Sequence, residues 1–410
     1  MKGSVLIGQS GGPTSVINAS LAGIIEEALQ NPLVTNVYGL LNGIDGLLEH
    51  RIIDLAVESK ETLSLLKTTP SSILGSSRFK LDDYKINDKV YKKIVEIFTK
   101  LDIKFFFFIG GNDSMDTCNK ISQYFKNIAF ECNVIGVPKT IDNDLVYTDH
   151  APGYGSSIKY IATTIAEIYQ DIECYKKGKV TIVEIMGRDA GWLTAGSKLA
   201  SLSNNGPDLI YLPEIPFDLE DFLHKVKIIY EKKGHALIAL SEGIKDKNKN
   251  YILTYRQFNS CDNFGHLQLG GVGQVIAEAI NKKLNLPIRS IELNIPQRCS
   301  SHIASLTDIN EAYHCGKKAL QYATLNFTGK MVSIKRVSTY PYKVKYELVD
   351  LSSVANKVKA VPMHFISSDG CNITNDFIEY ALPLIQKEPK IVYTNGMPTF
   401  AKLKKQKINL

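Results

Sequence analysis

The sequence FFFFIGGNDS occupies residues 105–114 and indicates the fold of this chain. Five apolar residues without polar alternation, ended abruptly by glycines, are typical of a parallel strand that is buried on both faces. The helical spacing that starts at Met115 therefore predicts a strand, a glycine turn and a helix in direct succession. This arrangement presents backbone N–H groups and the positive end of a helix dipole to an anion.

A second strand and loop of the same design follow directly. Residues 134–137 form a short apolar segment, and PKTIDND at residues 138–144 comes after it. Taken singly, each loop is more typical of turn chemistry than of a binding site. Because ligands of parallel sheets bind outside the carboxyl ends of the strands, the two loops together predict one site. Their glycines, a lysine, a threonine and three carboxylates could bind phosphate and a divalent cation and supply a general base.

The two loops resemble those of the phosphofructokinases, and most closely those of their pyrophosphate-dependent branch. Five further motifs of the family occur in the same order, namely GQSGG at 8–12, GSSRF at 75–79, MGR at 186–188, SEG at 241–243 and PQR at 296–298. The resemblance covers roughly residues 3–330. It implies a phosphotransferase of glycolysis or gluconeogenesis that moves a phosphoryl group reversibly from pyrophosphate to the 1-hydroxyl of D-fructose 6-phosphate.

The composition is that of an ordinary globular protein. The chain has 410 residues, of which 44% are hydrophobic and 22% charged, and a formal net charge of +6. This length predicts two domains. The scattered lysines do not indicate nucleic-acid binding, and we expect neither a membrane span nor a signal peptide. Seven cysteines without C-x-x-C or zinc spacing indicate reduced thiols, so a cytoplasmic protein is expected.

Strands and helices alternate along most of the chain, which predicts an α/β protein with two doubly wound, Rossmann-like domains and mainly parallel sheets. We expect the phosphoryl-donor domain to comprise residues 1–154 and 297–345, and the sugar-phosphate domain to comprise residues 155–296 and 346–410. The substrate cleft is expected between them. A nicotinamide cofactor is not expected, because no G-x-G-x-x-G motif and no acidic residue at the ribose position follow the first strand.

The resemblance implies which residues bind the phosphoryl donor, namely Gly11, Gly12, Arg78, Gly111, Asp113, Ser114 and Lys139. Asp113 stands where ATP-dependent relatives have glycine. Its bulk and charge would obstruct the α-phosphate of a nucleotide, whereas pyrophosphate ends before that point. Pyrophosphate is therefore the expected donor, and an ATP-dependent phosphofructokinase is the alternative.

The resemblance also implies the sugar-phosphate site, which comprises Thr140, Asp142, Asp144, Lys179, Met186, Gly187, Arg188, Glu242, Arg289 and Arg298. Asp142 matches the aspartate that takes the proton of the acceptor hydroxyl, and Lys139, Thr140 and Asp144 complete the expected catalytic set. Lys179 stands where relatives often have an arginine supplied by a neighbouring subunit, which implies a homodimer or homotetramer. Ile295 replaces a histidine that is usual just before PQR.

Magnesium is the expected cofactor, with Asn112 and Asp113 as its expected ligands. Family members commonly have aspartate at Asn112, and asparagine keeps a carbonyl oxygen but loses the charge. Either Asp113 and Asp144 hold the cation, or the chain is a catalytically weak regulatory subunit. A lipid or nucleotide kinase of the wider superfamily is a further alternative, which the MGR, PQR and SEG motifs disfavour.

Overall fold

The computed structural model describes residues 1–255 and 270–408, which form two open sheets covered by helices and one small two-stranded antiparallel sheet near the C-terminus. The strands, in chain order, are β1 (Gly3–Gln9), β2 (Val34–Leu40), β3 (Ile52–Asp54), β4 (Ile103–Gly110), β5 (Asn133–Pro138), β6 (Val180–Ile185), β7 (Leu209–Tyr211), β8 (Ala236–Ser241), β9 (Ile288–Glu292), β10 (Lys330–Ser338), β11 (Lys343–Asp350), β12 (Tyr393–Thr394) and β13 (Met397–Pro398). The α-helices are α1 (Ile17–Gln30), α2 (Gly43–Leu48), α3 (Lys60–Leu66), α4 (Lys89–Lys100), α5 (Asn112–Asn127), α6 (Tyr154–Glu173), α7 (Trp192–Gly196), α8 (Leu219–Lys233), α9 (Val272–Leu284), α10 (Pro296–Cys299), α11 (Leu306–Thr324), α12 (Leu351–Val354) and α13 (Asn375–Ala381). Short 3₁₀ helices lie at Ser197–Ser203, Ile252–Tyr255, Ser301–Ile303, Met363–Phe365 and Leu382–Ile385.

The larger sheet has the strand order β11-β10-β5-β4-β1-β2-β3, and only its two outer strands are antiparallel to their neighbours. Strand β4, which the sequence predicts to be buried on both faces, lies in the middle. Phe105 and Phe107 pack with residues of α1 and α11, and Phe106 and Phe108 pack with residues of α4 and α5. Because successive strand residues point to opposite faces, a strand covered by helices on both sides is apolar throughout.

The smaller sheet has the order β7-β8-β6-β9, and its strands are all parallel. One face packs against α6 and α7, and the other packs against α8 and α9. The predicted α/β fold with mainly parallel sheets and helices on both faces is thus confirmed.

The β10–β11 pair extends the larger sheet beyond residue 345, where the sequence predicts a domain boundary. Strand β11 pairs with β10 along its length and ends at Asp350. The expected boundary at residue 345 would cut this strand, so it is corrected to a position after Asp350.

The C-terminal part of the chain divides between the two sheets. Phe365 and Phe377 pack in the core of the smaller sheet, whereas Ala401 packs in the core of the larger sheet. The N–H of Ile408 donates to the carbonyl of Ile52 at 3.0 Å. The assignment of residues 346–410 to one domain is therefore corrected, because the unpaired backbone of edge strand β3 bonds the end of the chain.

Two glycine-containing segments have sequences typical of turns. The sequence GIDG at residues 43–46 is typical of a turn, but it begins helix α2. The glycine-rich segment at residues 265–273 is typical of a turn before a helix; its residues 265–269 lie outside the described residues, and α9 begins at Val272. Among the described residues, no helix combines the length and apolar character needed to cross a lipid bilayer.

A buried charged network joins the loop after β5 to α11 and the β10–β11 pair. The ring of His150 is bonded to Asp149 at 2.8 Å and to Glu311 at 2.6 Å. Arg336 forms an ion pair with Asp149 at 2.9 Å, and the hydroxyl of Tyr342 donates to Glu311 at 2.6 Å. Burial lowers the pKa of His150, but Glu311 and Asp149 outweigh it and raise this pKa to about 9.

The stabilisation supplied by His150 should therefore depend on pH. Because the pKa of His150 is higher in the folded state, its charged form stabilises the fold fully below the unfolded-state pKa of about 6.5. This stabilisation is lost as the pH rises through the folded-state pKa of about 9. We expect His150→Gln to be destabilised relative to the wild type by on the order of 2–3 kcal/mol at pH 6, and by less at pH 9.5. Chemical denaturation across this range measures the difference.

Tyr342→Phe is the matched control, because it removes a hydrogen bond of the same network without removing a group that titrates near neutral pH. Its destabilisation should be constant from pH 6 to pH 9.5. A constant difference between the wild type and His150→Gln over the same range would contradict a charged His150.

Candidate active site

A cleft of about 520 Å³ lies at the carboxyl ends of the strands of both sheets. Loops of the larger sheet and neighbouring turns contribute Gly11, Gly12, Pro13, Arg78, Gly111, Asn112, Asp113, Ser114, Lys139, Thr140, Ile141, Asp142 and Asp144. The smaller sheet contributes Met186, Arg188, Asp189, Ala190 and Glu242, and Arg298, Asn356 and Val358 complete the lining. The structure thus brings the residues expected to bind the phosphoryl donor to one place, beside those expected to be catalytic.

The glycine turn after β1 lies against the lysine that follows β5. Gly11 has a φ of +75°, and a Cβ at this position would lie 3.4 Å from Nζ of Lys139. The Lys139 ammonium donates to the carbonyl of Gly12, which links the two loops. Burial lowers the pKa of Lys139 to about 8, against the attraction of Asp142, which raises it.

The turn after β4 begins α5 and carries two polar side chains of the cleft. Gly111 is the residue before the helix, and Asp113 is exposed in the first helical turn. Nδ2 of Asn112 donates to Oδ2 of Asp144 at 2.9 Å. The other oxygens of this pair, Oδ1 of Asn112 and Oδ1 of Asp144, are buried without a hydrogen-bond partner among the described residues. Unpartnered oxygens on two side chains that are bonded to each other can accept hydrogen bonds from a ligand or coordinate a hard cation.

The loop after β5 presents Asp142 to the cleft. Its backbone N–H donates to Oγ1 of Thr140 at 3.1 Å. Burial raises the pKa of the Asp142 carboxyl, and repulsion from Asp144 and Glu242 raises it further. A carboxylate with a raised pKa accepts a proton more readily, which suits a general base.

The smaller sheet presents an arginine and a carboxylate across the cleft. The MGR motif follows β6, and Glu242 follows β8. Oε1 of Glu242 accepts a hydrogen bond from the N–H of Gly187 at 3.2 Å, which joins the two loops. Burial raises the pKa of Glu242.

Arg298 and its neighbour Gln297 connect α10 to both sides of the cleft. The Arg298 guanidinium would lie 3.6 Å from a Cβ at Gly12, and it lines the cleft. The side-chain oxygen of Gln297 accepts from the N–H of Met186 at 3.2 Å. Gln297 is buried and was not predicted to have a role, although its place within the PQR motif was a signal.

Lys179 and Arg289 do not lie in this cleft within one chain. Lys179 precedes β6, and Arg289 is paired in register with Thr181 near the amino end of that strand, opposite to the cleft. Arg289 is 48% exposed and forms an ion pair with Asp171 at 3.3 Å. Within one chain, parallel register thus places Arg289 near the amino end of β6, away from Arg298 in the cleft, and the expectation that both arginines bind the 6-phosphate stays a prediction.

A second cavity of about 540 Å³ opens from the same glycine turn. It shares Gly11, Gly12, Pro13, Arg78 and Arg298 with the cleft, and its other lining residues are Asn42, Asp45, Arg51, Ser76 and Ser77. Two residues of the main cleft, Asn356 and Val358, come from the C-terminal segment beyond the motif resemblance, where no sequence signal indicated them. Within the described residues, no group of three or more His, Cys, Asp or Glu could hold a metal ion.

Comparison with known proteins extends these findings over nearly the whole chain. The family model named Phosphofructokinase matches residues 4–323. A pyrophosphate–fructose 6-phosphate 1-phosphotransferase from Halomonas elongata is 40% identical over 404 residues, which are 98% of this chain and 96% of the relative. A protein of the same name from Methylococcus capsulatus is 39% identical over 399 residues, 96% of this chain and 94% of the relative. The crystal structure of a pyrophosphate-dependent phosphofructokinase from Nitrosospira multiformis matches with a TM-score of 0.90 at 37% identity, covering 99% of this chain and 98% of that one.

Proposed function

This chain belongs to the phosphofructokinase family, and from that premise we propose that it transfers a phosphoryl group reversibly from pyrophosphate to the 1-hydroxyl of D-fructose 6-phosphate. The products are fructose 1,6-bisphosphate and phosphate, so the reaction belongs to glycolysis or gluconeogenesis. The observation that carries the proposal is the meeting of Asp142 and Lys139, on the larger sheet, with Arg188 and Glu242, on the smaller sheet, in one cleft.

The larger sheet binds the donor. Gly11, Gly12 and Gly111 let phosphate oxygens approach the backbone, and the amino end of α5 offers N–H groups to an anion. Arg78 and Lys139 add positive charge beside them.

Asp113 selects the donor by position and charge. It is exposed in the first turn of α5 and lines the cleft. The family resemblance implies that the α-phosphate of a nucleotide would lie beside this position. Two like charges about 4 Å apart cost about 4 kcal/mol at an effective dielectric near 20. Pyrophosphate has no third phosphate to meet this carboxylate. The same position therefore disfavours the ATP-dependent alternative.

Asp142 acts as general base toward the acceptor. The proton of the sugar 1-hydroxyl moves to its carboxylate as the hydroxyl oxygen bonds to the nearer phosphorus of pyrophosphate. The bridging P–O bond breaks, and phosphate leaves on the side of Lys139. Thr140 donates to the transferred group. Asp142 and its charged partners are all in the cleft, which disfavours the alternative of a catalytically weak regulatory subunit.

The smaller sheet and α10 hold the sugar phosphate. Glu242 accepts hydrogen bonds from sugar hydroxyls, and Arg188 and Arg298 provide charge for the acceptor. Met186 lines the same side of the cleft, and the N–H of Gly187 holds Glu242 there.

Magnesium is proposed as the cofactor, and its best-supported protein ligands differ from those expected. The unpartnered oxygens belong to Asn112 and Asp144, whereas Asp113 is exposed. Two protein oxygens beside a phosphate site fit a cation that keeps several waters and takes the rest of its ligands from substrate. When bound, magnesium would neutralise charge on the phosphoryl oxygens.

A homodimer or homotetramer is proposed because Lys179 and Arg289 are exposed cations remote from their own cleft. In an oligomer they could reach the 6-phosphate in a neighbouring subunit. The described cysteines are all free thiols, which supports the proposal that the enzyme works in the reducing cytoplasm.

Removal of the proposed base should affect the rate and not binding. Asp142→Ala should lower kcat by roughly 10²–10⁴-fold with little change in the KM for fructose 6-phosphate. Steady-state kinetics with pyrophosphate measures both. Asp189→Asn is the control, since Asp189 also lines the cleft but pairs with Lys245 at 3.1 Å, and it should keep a near-normal kcat. A loss confined to KM in Asp142→Ala would make Asp142 a binding group.

The preferred phosphoryl donor should change when the side chain of Asp113 is removed. Asp113→Gly should gain ATP-dependent turnover and lose pyrophosphate efficiency, because it removes both the carboxylate and the Cβ from the nucleotide path. Asp113→Asn keeps the bulk without the charge, so it separates the two effects and should gain less. Donor competition assays report the change. An unaltered ratio of kcat/KM for ATP to that for pyrophosphate in Asp113→Gly would refute this role.

Mixed oligomers test whether Arg289 acts in a neighbouring subunit. Arg289→Ala alone should raise the KM for fructose 6-phosphate by about 10- to 100-fold. When this variant is refolded together with Asp142→Ala, hybrid sites that combine an intact Asp142 with the partner's intact arginine should recover a low KM. The pair Arg298→Ala and Asp142→Ala is the control and should not recover, since both residues lie in one cleft. A mixture that behaves as the sum of its two parents would contradict sharing between subunits.

A further inference from the structure

Lys359 lies behind the cleft and holds the loop that carries Asp142 and Asp144, here termed the catalytic loop (residues 139–151). Its ammonium group donates to Oδ1 of Asn143 at 3.3 Å, to the carbonyl of Thr148 at 3.1 Å and to the carbonyl of Asp149 at 3.0 Å. An ammonium has three donors, so these acceptors use all of them. The catalytic loop thus curls around one cation.

The backbone of Lys359 fixes the same loop to the smaller sheet. Its N–H donates to the carbonyl of Asp144 at 2.7 Å, and its carbonyl accepts from Nε1 of Trp192 at 2.7 Å. The ammonium also lies 5.2 Å from the centroid of the Trp192 ring, within the range of a cation–π contact. One residue therefore connects the catalytic loop to α7.

Asn143 transmits this contact to the two carboxylates. It is fully buried, has a φ of +52° and stands between Asp142 and Asp144. Its Oδ1 also accepts from the N–H of Ala151 at 3.1 Å, and its Nδ2 donates to the hydroxyl of Tyr380 at 2.9 Å. With both ends of its side chain bonded, Asn143 fixes the direction in which its neighbours leave the backbone.

The charge of Lys359 acts on the same loop. Burial lowers the pKa of Lys359 to about 8, and Asp149 and Asp144 oppose this effect.

Resting on the proposed function, we propose that Lys359 is a positioning residue of phosphoryl transfer, which holds Asp142 and Asp144 in their reactive orientation without touching either substrate. It lies 36 residues beyond the last residue that the family model matches, at residue 323. Because the chemical step depends on the orientation of Asp142, a change at Lys359 should alter kcat and leave the binding of sugar phosphate and donor unchanged.

Lys359→Met tests this role, because methionine keeps most of the side-chain length without charge or donors. We expect kcat to fall about 10- to 100-fold while both KM values stay within about threefold of the wild type. The chain has one tryptophan, so the emission of Trp192 should also shift in this variant. Lys357→Met is the matched control, since the Lys357 ammonium lies 5.9 Å from the exposed Tyr147 ring, and it should change neither signal.

Trp192→Phe keeps the proposal testable if Lys359→Met does not fold. It preserves a ring in the core but removes the donor to the Lys359 carbonyl, and kcat should fall by a smaller factor with unchanged KM. A wild-type kcat in either folded variant, or a rise in KM without loss of kcat, would overturn the positioning role.

Assays with pyrophosphate and ATP separate this result from the proposed function. A wild type that uses only ATP contradicts the donor, whereas the kcat ratio of Lys359→Met to wild type tests Lys359 with either donor.

Discussion

The structure depends on the burial of strand β4 between two helical layers. Phe105 and Phe107 fill one side of the sheet, and Phe106 and Phe108 fill the other, so the strand can only lie in the middle of a covered parallel sheet. Parallel pairing with β1 and β5 then brings the ends of three strands to one edge. The glycine turn after β1, the amino end of α5 and the catalytic loop meet there as a consequence.

Charged side chains of both signs are buried together at that edge of the larger sheet, where they neutralise one another. Lys139 is buried between the donor loops and the carboxylates, and its ammonium bonds the Gly12 carbonyl. Asn112 has a place in this balance, because its amide donates a hydrogen bond to Asp144 that an aspartate at this position could not supply. The same bond leaves Oδ1 of each side chain without a partner among the described residues, and it is there that we propose magnesium to bind.

The strand-end loops could be predicted from the sequence because each combines a local pattern with a motif. An unbroken apolar run ended by GGNDS or PKTIDND specifies both the strand and the chemistry at its end. The position of Arg289 could not be predicted, because spacing along the chain does not give the register that places it near the amino end of β6.

Contacts between segments that lie far apart along the chain could not be predicted from the sequence either. Lys359 reaches the catalytic loop across more than 200 residues of chain, as its bond to Asn143 shows. The pairing of the C-terminal tail with β3 is likewise a tertiary contact, since Lys402–Lys407 has the composition of a solvated end. No local pattern encodes such contacts.

The role of Asp113 can be tested on the unmodified protein by its choice of phosphoryl donor. A coupled assay of fructose 1,6-bisphosphate formation, with magnesium present, compares kcat/KM for pyrophosphate and for ATP. We expect pyrophosphate to be preferred by roughly a thousandfold, the factor that corresponds to about 4 kcal/mol of repulsion at Asp113. An equal or greater kcat/KM with ATP would contradict it.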